Sequence, residues 1–346
     1  MPPRSTSFPL LSLLFVILIV TALWWLSPRR DALVVYCAHD AEFSEPILKE
    51  FERRSGIPVL IQFDTEATKS LGLIQRIKAE KQNPQCDVFW NNETLGTMDL
   101  ADEGFLFPYR SPTAERIPEK YKDPAGRWSG FAARLRVVIY NKDLISSDQV
   151  PDTESKLLKL VEQAPKEFAI AKPIFGTTLT HYSALWKAWG GEKLQSWHRR
   201  SLAAGIQEVA GNAKSKDLAA SGNCRAGFTD TDDFFVAQDA GHPVGMVPVR
   251  LTDGTTICIP NTAGIISGSR KIEAARKLID FLLSEEVELR LAESTARQIP
   301  LGTVDSPRLP EQVKDLMDDA AAGLDLRTLS QARNDCLEWL RKEYLQ

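Results

Sequence analysis

Residues 33–63, LVVYCAHDAEFSEPILKEFERRSGIPVLIQF, contain the pattern that decides the fold. Leu33–Cys37 is a short apolar run of the kind expected for a buried parallel strand. The helix predicted next has Ser44 as its N-cap and ends at Gly56. Residues 57–63 form a second apolar strand. The chain therefore opens with a β-α-β unit, whose crossover is right-handed, and the sequence predicts an α/β fold.

Polar side chains follow each of the first three predicted strands, the third of which covers residues 85–90. These polar clusters are His39 and Asp40, then Thr65 and Glu66, then Asn91, Asn92 and Glu93. Each cluster alone fits ordinary turn chemistry. Because the carboxyl ends of parallel strands lie along one edge of a sheet, the three clusters together predict a ligand-binding cleft there.

The stretch Gly227–Asp233 reads Gly-Phe-Thr-Asp-Thr-Asp-Asp and joins a predicted strand to a predicted helix. This stretch has more acidic and hydroxyl side chains than a helix cap and a favourable first turn need. A binding site formed by Asp230, Thr231, Asp232 and Asp233 is therefore favoured over capping alone. Thr177 and Thr178 precede a helix predicted from Leu179. They are candidates for binding an anion at that helix N-terminus, and capping is an equally good interpretation.

The composition limits the classes of function. A chain of 346 residues is long enough for two domains, and a net charge of −4 argues against a nucleic-acid partner. The five cysteines show no C-x-x-C spacing. The histidines form no metalloprotease motif, and neither a nucleophile elbow nor a P-loop is present. We therefore do not expect an enzyme and expect no required cofactor, with a cleft hydrolase as the weaker alternative.

The pattern of residues 1–30 predicts that the protein is exported from the cytoplasm. Phe8–Leu26 is a nearly continuous apolar run, preceded by Arg4 and followed by Arg29 and Arg30. Its length fits either a long signal peptide or a membrane anchor. We expect the rest of the chain to lie in the periplasm or another extracytoplasmic space. As an anchor, this segment would attach it to the inner membrane; as a signal peptide, it would be removed.

The ordered set of segments resembles the extracellular solute-binding proteins of ABC importers, most closely the ferric-iron-binding branch. The segments that carry this resemblance are 33–39, 87–90, 134–141, 175–178, 227–233 and 279–284. The resemblance implies a monomer with the two-lobed, type II periplasmic-binding-protein fold, which closes by hinge motion. It also implies a membrane permease and its ATPase as partners.

The resemblance further implies a division of the chain. Residues 31–132 and about 250–305 would form the first lobe, and residues 133–249 and about 306–346 the second. The crossover strands would lie in residues 128–141 and 244–260.

In the ferric-binding branch a His, a Glu and a Tyr pair hold the metal. By resemblance, the first position falls at His39 or Asp40 and the second at Asn92, with Glu93 adjacent. The Tyr pair is replaced by Asp232 and Asp233. Carboxylates suit Fe³⁺ and other hard cations as cargo.

Two further interpretations stay open. The cleft could take an organic ligand, such as a phosphonate or a polyamine-like amine that contacts the aromatic face of Trp90. Arg134 resembles the anion-contacting arginine of the family, and a salt bridge at the hinge explains this residue equally well.

Overall fold

The computed structural model describes residues 31–64, 71–150, 153–304 and 307–344. The strands are β1 (Leu33–Cys37), β2 (Val59–Phe63), β3 (Val88–Asn91), β4 (Leu106–Phe107), β5 (Ser129–Asn141), β6 (Phe168–Ala171), β7 (Gln207–Val209), β8 (Ala226–Asp230), β9 (Val244–Pro248) and β10 (Cys258–Ile266). The helices are α1 (Ala41–Ser55), α2 (Leu71–Ala79), α3 (Leu95–Asp102), α4 (Glu154–Gln163), α5 (Gly176–Trp189), α6 (Gly191–Ala204), α7 (Asn212–Ala220), α8 (Thr231–Asp239), α9 (Ile272–Leu282), α10 (Glu285–Glu293), α11 (Glu311–Lys314), α12 (Met317–Ala321) and α13 (Ser330–Tyr344).

The strands hydrogen-bond in the order β2-β1-β3-β10-β5-β8-β6-β7, with β4 beside β10 and β9 beside β5. Strand β1 is parallel to β2 and β3, and β6 is parallel to β7 and β8. The long strands β10 and β5 are antiparallel to each other. The sheet therefore has two parallel halves joined through antiparallel central strands.

Strand β5 belongs to both halves because it changes its partner along its length. Leu135 is the last residue of β5 paired with β10, where it lies opposite Cys258. The next residue, Arg136, already lies opposite Asp230 of β8. All thirteen residues of β5 are buried. Arg134 and Arg136 are two residues apart and project from the same face of the strand. Two buried guanidinium groups therefore lie at the point where β5 changes its partner.

Helices cover the sheet through their apolar faces. In α1 the buried side chains Ile47, Leu48 and Phe51 recur at helical spacing. The helix ends where Gly56 takes a φ of 68° and its N–H bonds to the carbonyl oxygen of Glu52, a left-handed conformation that glycine adopts at little cost. The opening β-α-β unit predicted from the sequence is confirmed.

Three boundaries differ from the sequence prediction, two at the starts of helices and one at the end of strand β10. Helix α1 begins at Ala41, and Ser44 lies inside it with its hydroxyl donating to the carbonyl of Asp40 at 2.9 Å, so the predicted N-cap at Ser44 was wrong. Helix α5 begins at Gly176, three residues before the predicted Leu179. Thr177 and Thr178 are therefore part of its first turn.

The predicted second crossover ends at Pro260, but strand β10 continues beyond this residue to Ile266. The pairing between β10 and β5 shifts register between Pro260 and Asn261. A bulge at this point accommodates the proline, which cannot donate a ladder hydrogen bond. The second predicted crossover, residues 244–260, is therefore β9 followed by an irregular segment and only the first three residues of β10.

Two predictions lie outside the described residues: the apolar segment Phe8–Leu26 and the polar pair Thr65 and Glu66. Among the helices that the structure describes, none has both the length and the apolar character to cross a membrane.

Candidate functional site

A cavity of about 790 Å³ lies between the segments that follow β1 and β3 and the segments that follow β6, β7 and β8. We call it the main cavity. Eight of the residues predicted from the sequence line it: Asp40, Asn92, Arg134, Thr177, Thr178, Asp230, Asp232 and Asp233. The structure thus brings together residues from five separate parts of the chain.

One wall of the main cavity is built from the N-termini of α5, α7 and α8. Asp230 immediately precedes α8, and its carboxylate connects this helix to the other two. Its Oδ2 atom accepts hydrogen bonds from the Thr177 hydroxyl of α5 at 2.6 Å and from the Asn212 amide of α7 at 2.9 Å. Three positive helix ends therefore converge on one buried negative charge.

The second oxygen of Asp230 accepts a hydrogen bond from Nη1 of Arg136 at 2.7 Å. Both residues are buried, with Arg136 0% and Asp230 2% exposed. His181 lies in the same region, with its ring in edge contact with Phe228. Burial and the nearby Arg136 hold the pKa of His181 well below its usual range. The imidazole is therefore neutral. Arg136 and Asp230 form a buried ion pair, which we call the sealed pair and of which only Asp230 lines the main cavity.

A second arginine–aspartate pair faces the main cavity. Arg134 donates from Nη1 to Asp232 at 3.1 Å and from Nη2 to the carbonyl oxygen of Asn92 at 3.0 Å. The other Asp232 oxygen accepts from the backbone N–H of Asp233 at 3.0 Å. Arg134 thus connects the segment after β3 with the N-terminus of α8.

The electrostatic environment of the main cavity is acidic. Burial alone would lower the pKa of Arg134, but the carboxylates of Asp232, Asp230, Asp40 and Asp233 raise it instead. Ligand atoms of Asp230, Asp232 and Asp233 all lie within 4.8 Å of one another. Oxygen donors at such spacing are the ligands that hard cations take. Since Asp230 is saturated by three donors, Asp232 and Asp233 are the better placed pair.

Four of the predicted residues do not line the main cavity: His39, Asn91, Glu93 and Thr231. His39 is 1% exposed. Its Nδ1 accepts the backbone N–H of Asp40 at 2.7 Å, and its Nε2 lies 2.9 Å from the Gln298 amide. The Thr231 hydroxyl accepts the backbone N–H of Leu135 at 3.2 Å. Both side chains therefore stabilise the walls.

Glu93 and Asn91 face away from the main cavity as well. Glu93 accepts from the Asn91 amide at 3.0 Å and from the backbone N–H of Gly96 at 2.8 Å. Burial raises the pKa of the Glu93 carboxyl. This residue lines a second, smaller cavity of about 210 Å³, which we call the annex. Trp90 is fully buried and does not offer its aromatic face to the main cavity.

Several residues of the main cavity were not predicted from the sequence. They include Lys172, Phe175, Glu208, Asn212, Lys214 and Asp217. Asn212 follows a strand and begins a helix, so the rule that identified the other polar clusters would have found it. Glu208 accepts a hydrogen bond from the Tyr344 hydroxyl at the end of α13. No local sequence pattern predicts this contact, because the two residues are far apart in sequence.

Comparison with known proteins gives a consistent result. The profile of the family described as bacterial extracellular solute-binding protein matches residues 38–288. Iron uptake protein A1 of Synechocystis is 24% identical over 285 residues, which cover 77% of this chain and 75% of that protein. The ferric binding protein of Campylobacter jejuni is 19% identical, with a TM-score of 0.77 over 90% of this chain and 98% of that chain.

A third similar protein is the periplasmic binding protein AfuA of Actinobacillus pleuropneumoniae, solved with fructose-6-phosphate bound. It is 22% identical, with a TM-score of 0.70 over 90% of this chain and 98% of that chain. These structures confirm the predicted two-lobed α/β fold.

Proposed function

Because this chain belongs to the family of bacterial extracellular solute-binding proteins, we propose that it captures a hard metal ion, ferric iron or a similar cation, either free or chelated. The protein acts outside the cytoplasm and is a solute-binding protein of the ABC importer type. Family membership implies a small ligand and, as partners, a membrane permease and its ATPase. The cation would be held in the main cavity and delivered without chemical change.

The acidic environment of Arg134 is the observation that carries this proposal. Ligand atoms of Asp230, Asp232 and Asp233 lie within 4.8 Å of one another, Asp232 contacts the buried Arg134 guanidinium, and Asp40 lines the same cavity. A cavity with this excess of negative charge attracts cations. Two of the similar proteins are named for iron uptake and ferric binding, which agrees with a hard cation as cargo.

The proposed ligands come from both sides of the main cavity. Asp232 and Asp233 offer carboxylates at the N-terminus of α8, and Asp40 offers one from the segment after β1. Arg134 lies among them and would contact an anionic group that accompanies the metal. Asp230 holds the helix N-termini in place, since Arg136, Thr177 and Asn212 occupy its two oxygens.

An organic phosphate or phosphonate is the second candidate. The first turns of α5 and α7 line the main cavity together with Lys172 and Lys214, and helix N-termini with nearby lysines suit such anions. The sugar phosphate bound to AfuA supports the same interpretation. An amine ligand has less support, because Trp90 is buried away from the cavity.

Thermal unfolding of the full-length protein distinguishes these candidates. We expect ferric nitrilotriacetate to raise the melting temperature, because a ligand that binds only the folded state stabilises it by mass action. Excess chelator should then reverse the shift. Fructose-6-phosphate, methylphosphonate and spermidine are tested in parallel. A shift with one of these in the presence of chelator, and none with ferric nitrilotriacetate, would reject the metal assignment.

A further inference from the structure

We propose that the cargo is a metal complex of an organic chelator with an aromatic or aliphatic arm, and that the arm lies in the annex. This inference rests on the proposed function and specifies its substrate class. The metal end of the complex would occupy the main cavity beside Asp232 and Asp233, and the arm would extend past Phe175.

The volume of the main cavity is the first argument. A bare ion with its oxygen ligands at about 2.0–2.6 Å needs only a small fraction of the 790 Å³ that this cavity offers. Pockets of about 300–1,000 Å³ are typical of organic ligands. The cavity therefore has the size for a metal that arrives inside an organic complex.

The composition of the annex is the second argument. Six of its twelve lining residues are aliphatic, namely Leu71, Ile74, Leu95, Ile174, Leu179 and Leu337. Only one of these residues of the annex, Glu93, is a carboxylate, whereas the main cavity is lined by several carboxylates. The aliphatic walls favour a hydrocarbon or aryl group, whose free energy falls when it leaves water.

The two compartments are adjacent. Phe175 and Gly176, at the start of α5, line both the main cavity and the annex. In the proposed complex, a single ligand would therefore pass these two residues to occupy both compartments. Arg333 and Arg341 of α13 also line the annex, and they would attract an anionic substituent on the arm.

A buried hydroxyl gives an independent indication of a ligand. Thr180 lines the annex and is 0% exposed. Its Oγ1 atom has no hydrogen-bond partner among the residues that the structure describes. Buried hydroxyls nearly always have a partner. A polar atom on the arm of the cargo would supply one.

Isothermal titration calorimetry on the full-length protein with two iron complexes tests this inference. Ferric 2,3-dihydroxybenzoate carries an aromatic arm, and ferric citrate does not. We expect Leu337→Trp, which fills the annex, to weaken binding of the dihydroxybenzoate complex by about tenfold or more and that of ferric citrate by less than about twofold. Leu144→Trp places the same side chain at a position 48% exposed and should change neither affinity.

Thr180→Val provides a second, nearly isosteric variant that preserves packing. It should weaken the dihydroxybenzoate complex by about fivefold and leave ferric citrate unchanged. Equal effects on the two complexes, or no effect of either variant, would overturn the annex as a binding compartment. Failure of the unmodified protein to bind either complex would instead count against the proposed function itself.

Discussion

Two arginine–aspartate pairs lie side by side in this protein and differ in their partners and in the position of the arginine. Arg136 is 0% exposed and does not line the main cavity, and its partner Asp230 also accepts bonds from Thr177 and Asn212. Arg134 and Asp232 are each two residues away in sequence from the members of the first pair. Nη1 of Arg134 lies 3.1 Å from an oxygen of Asp232, and both residues line the main cavity.

The difference shows that similar residue types have acquired separate roles. In the sealed pair the carboxylate accepts three side-chain donors, so the pair orders the N-termini of three helices. In the second pair each oxygen of Asp232 accepts one donor, and the arginine as well as the aspartate lines the main cavity. The number of partners and the position of the arginine, rather than residue type, therefore separate a structural aspartate from a binding one.

Breaking the sealed pair should give the largest effect. Asp230→Ala leaves the buried Arg136 guanidinium without its counter-charge and removes the acceptor of Thr177 and Asn212. We expect a loss of about 3–5 kcal/mol in the free energy of unfolding, measured by urea denaturation followed by circular dichroism. Asp143→Ala, at an exposed turn, serves as the control. A loss below about 1 kcal/mol would mean that the pair does not order this wall.

Changing the carboxylate at the main cavity should instead affect binding. Asp232→Asn keeps an acceptor for Arg134, so the free energy of unfolding should fall by only about 1 kcal/mol. The affinity for ferric nitrilotriacetate should fall by about tenfold or more, because one negative oxygen ligand is lost. Calorimetric titration measures this loss, with Asp143→Asn as control. Unchanged affinity would remove Asp232 from the proposed site.

The arginine that links the two sides of the main cavity should show an intermediate effect. Arg134→Lys keeps the positive charge but loses the fork that reaches both Asp232 and the Asn92 carbonyl. We expect a loss of about 1 kcal/mol in binding free energy, or roughly fivefold in affinity. The same titration tests it, and an affinity equal to that of the unmodified protein would show that the double contact is dispensable.

The sequence predicted the ends of β1, β2 and β3 well, because strand and helix periodicity are local properties. It therefore located Asp40, Asn92 and the acidic stretch at one edge of the sheet. It could not assign roles within the stretch. The partner of Asp230 is Arg136, separated from it by 94 residues, and only the pairing of β5 with β8 brings the two together.

Neighbouring residues were also hard to tell apart from the sequence. His39 and Asp40 are adjacent, yet only Asp40 lines the main cavity, and the same holds for Asn92 and Glu93. Both pairs lie just after a strand, where the chain bends and adjacent side chains point to different sides. A polar cluster therefore predicts a site, but which of its members reach the cavity depends on the exact end of the strand.

The smallest effect at neutral pH is expected for the histidine beside the sealed pair. In an unfolded chain an imidazole has a pKa of about 6.5, whereas burial and Arg136 lower the pKa of His181 in the folded protein. The unfolded state consequently binds more protons below about pH 6.5, so the stabilising contribution of neutral His181 is complete above that pH and declines as the pH falls.

His181→Leu should therefore leave the free energy of unfolding at pH 7.5 within about 1 kcal/mol of that of the unmodified protein. It should also reduce the loss of stability between pH 7 and pH 5, as seen in urea denaturation at a series of pH values. Leu144→Ala, at a position 48% exposed, should leave that pH dependence unchanged. His198, whose pKa burial lowers to about 4, would contribute a residual slope in both variants. If the free energy of unfolding depended on pH in the same way in His181→Leu and in the unmodified protein, His181 would not be a neutral imidazole beside Arg136.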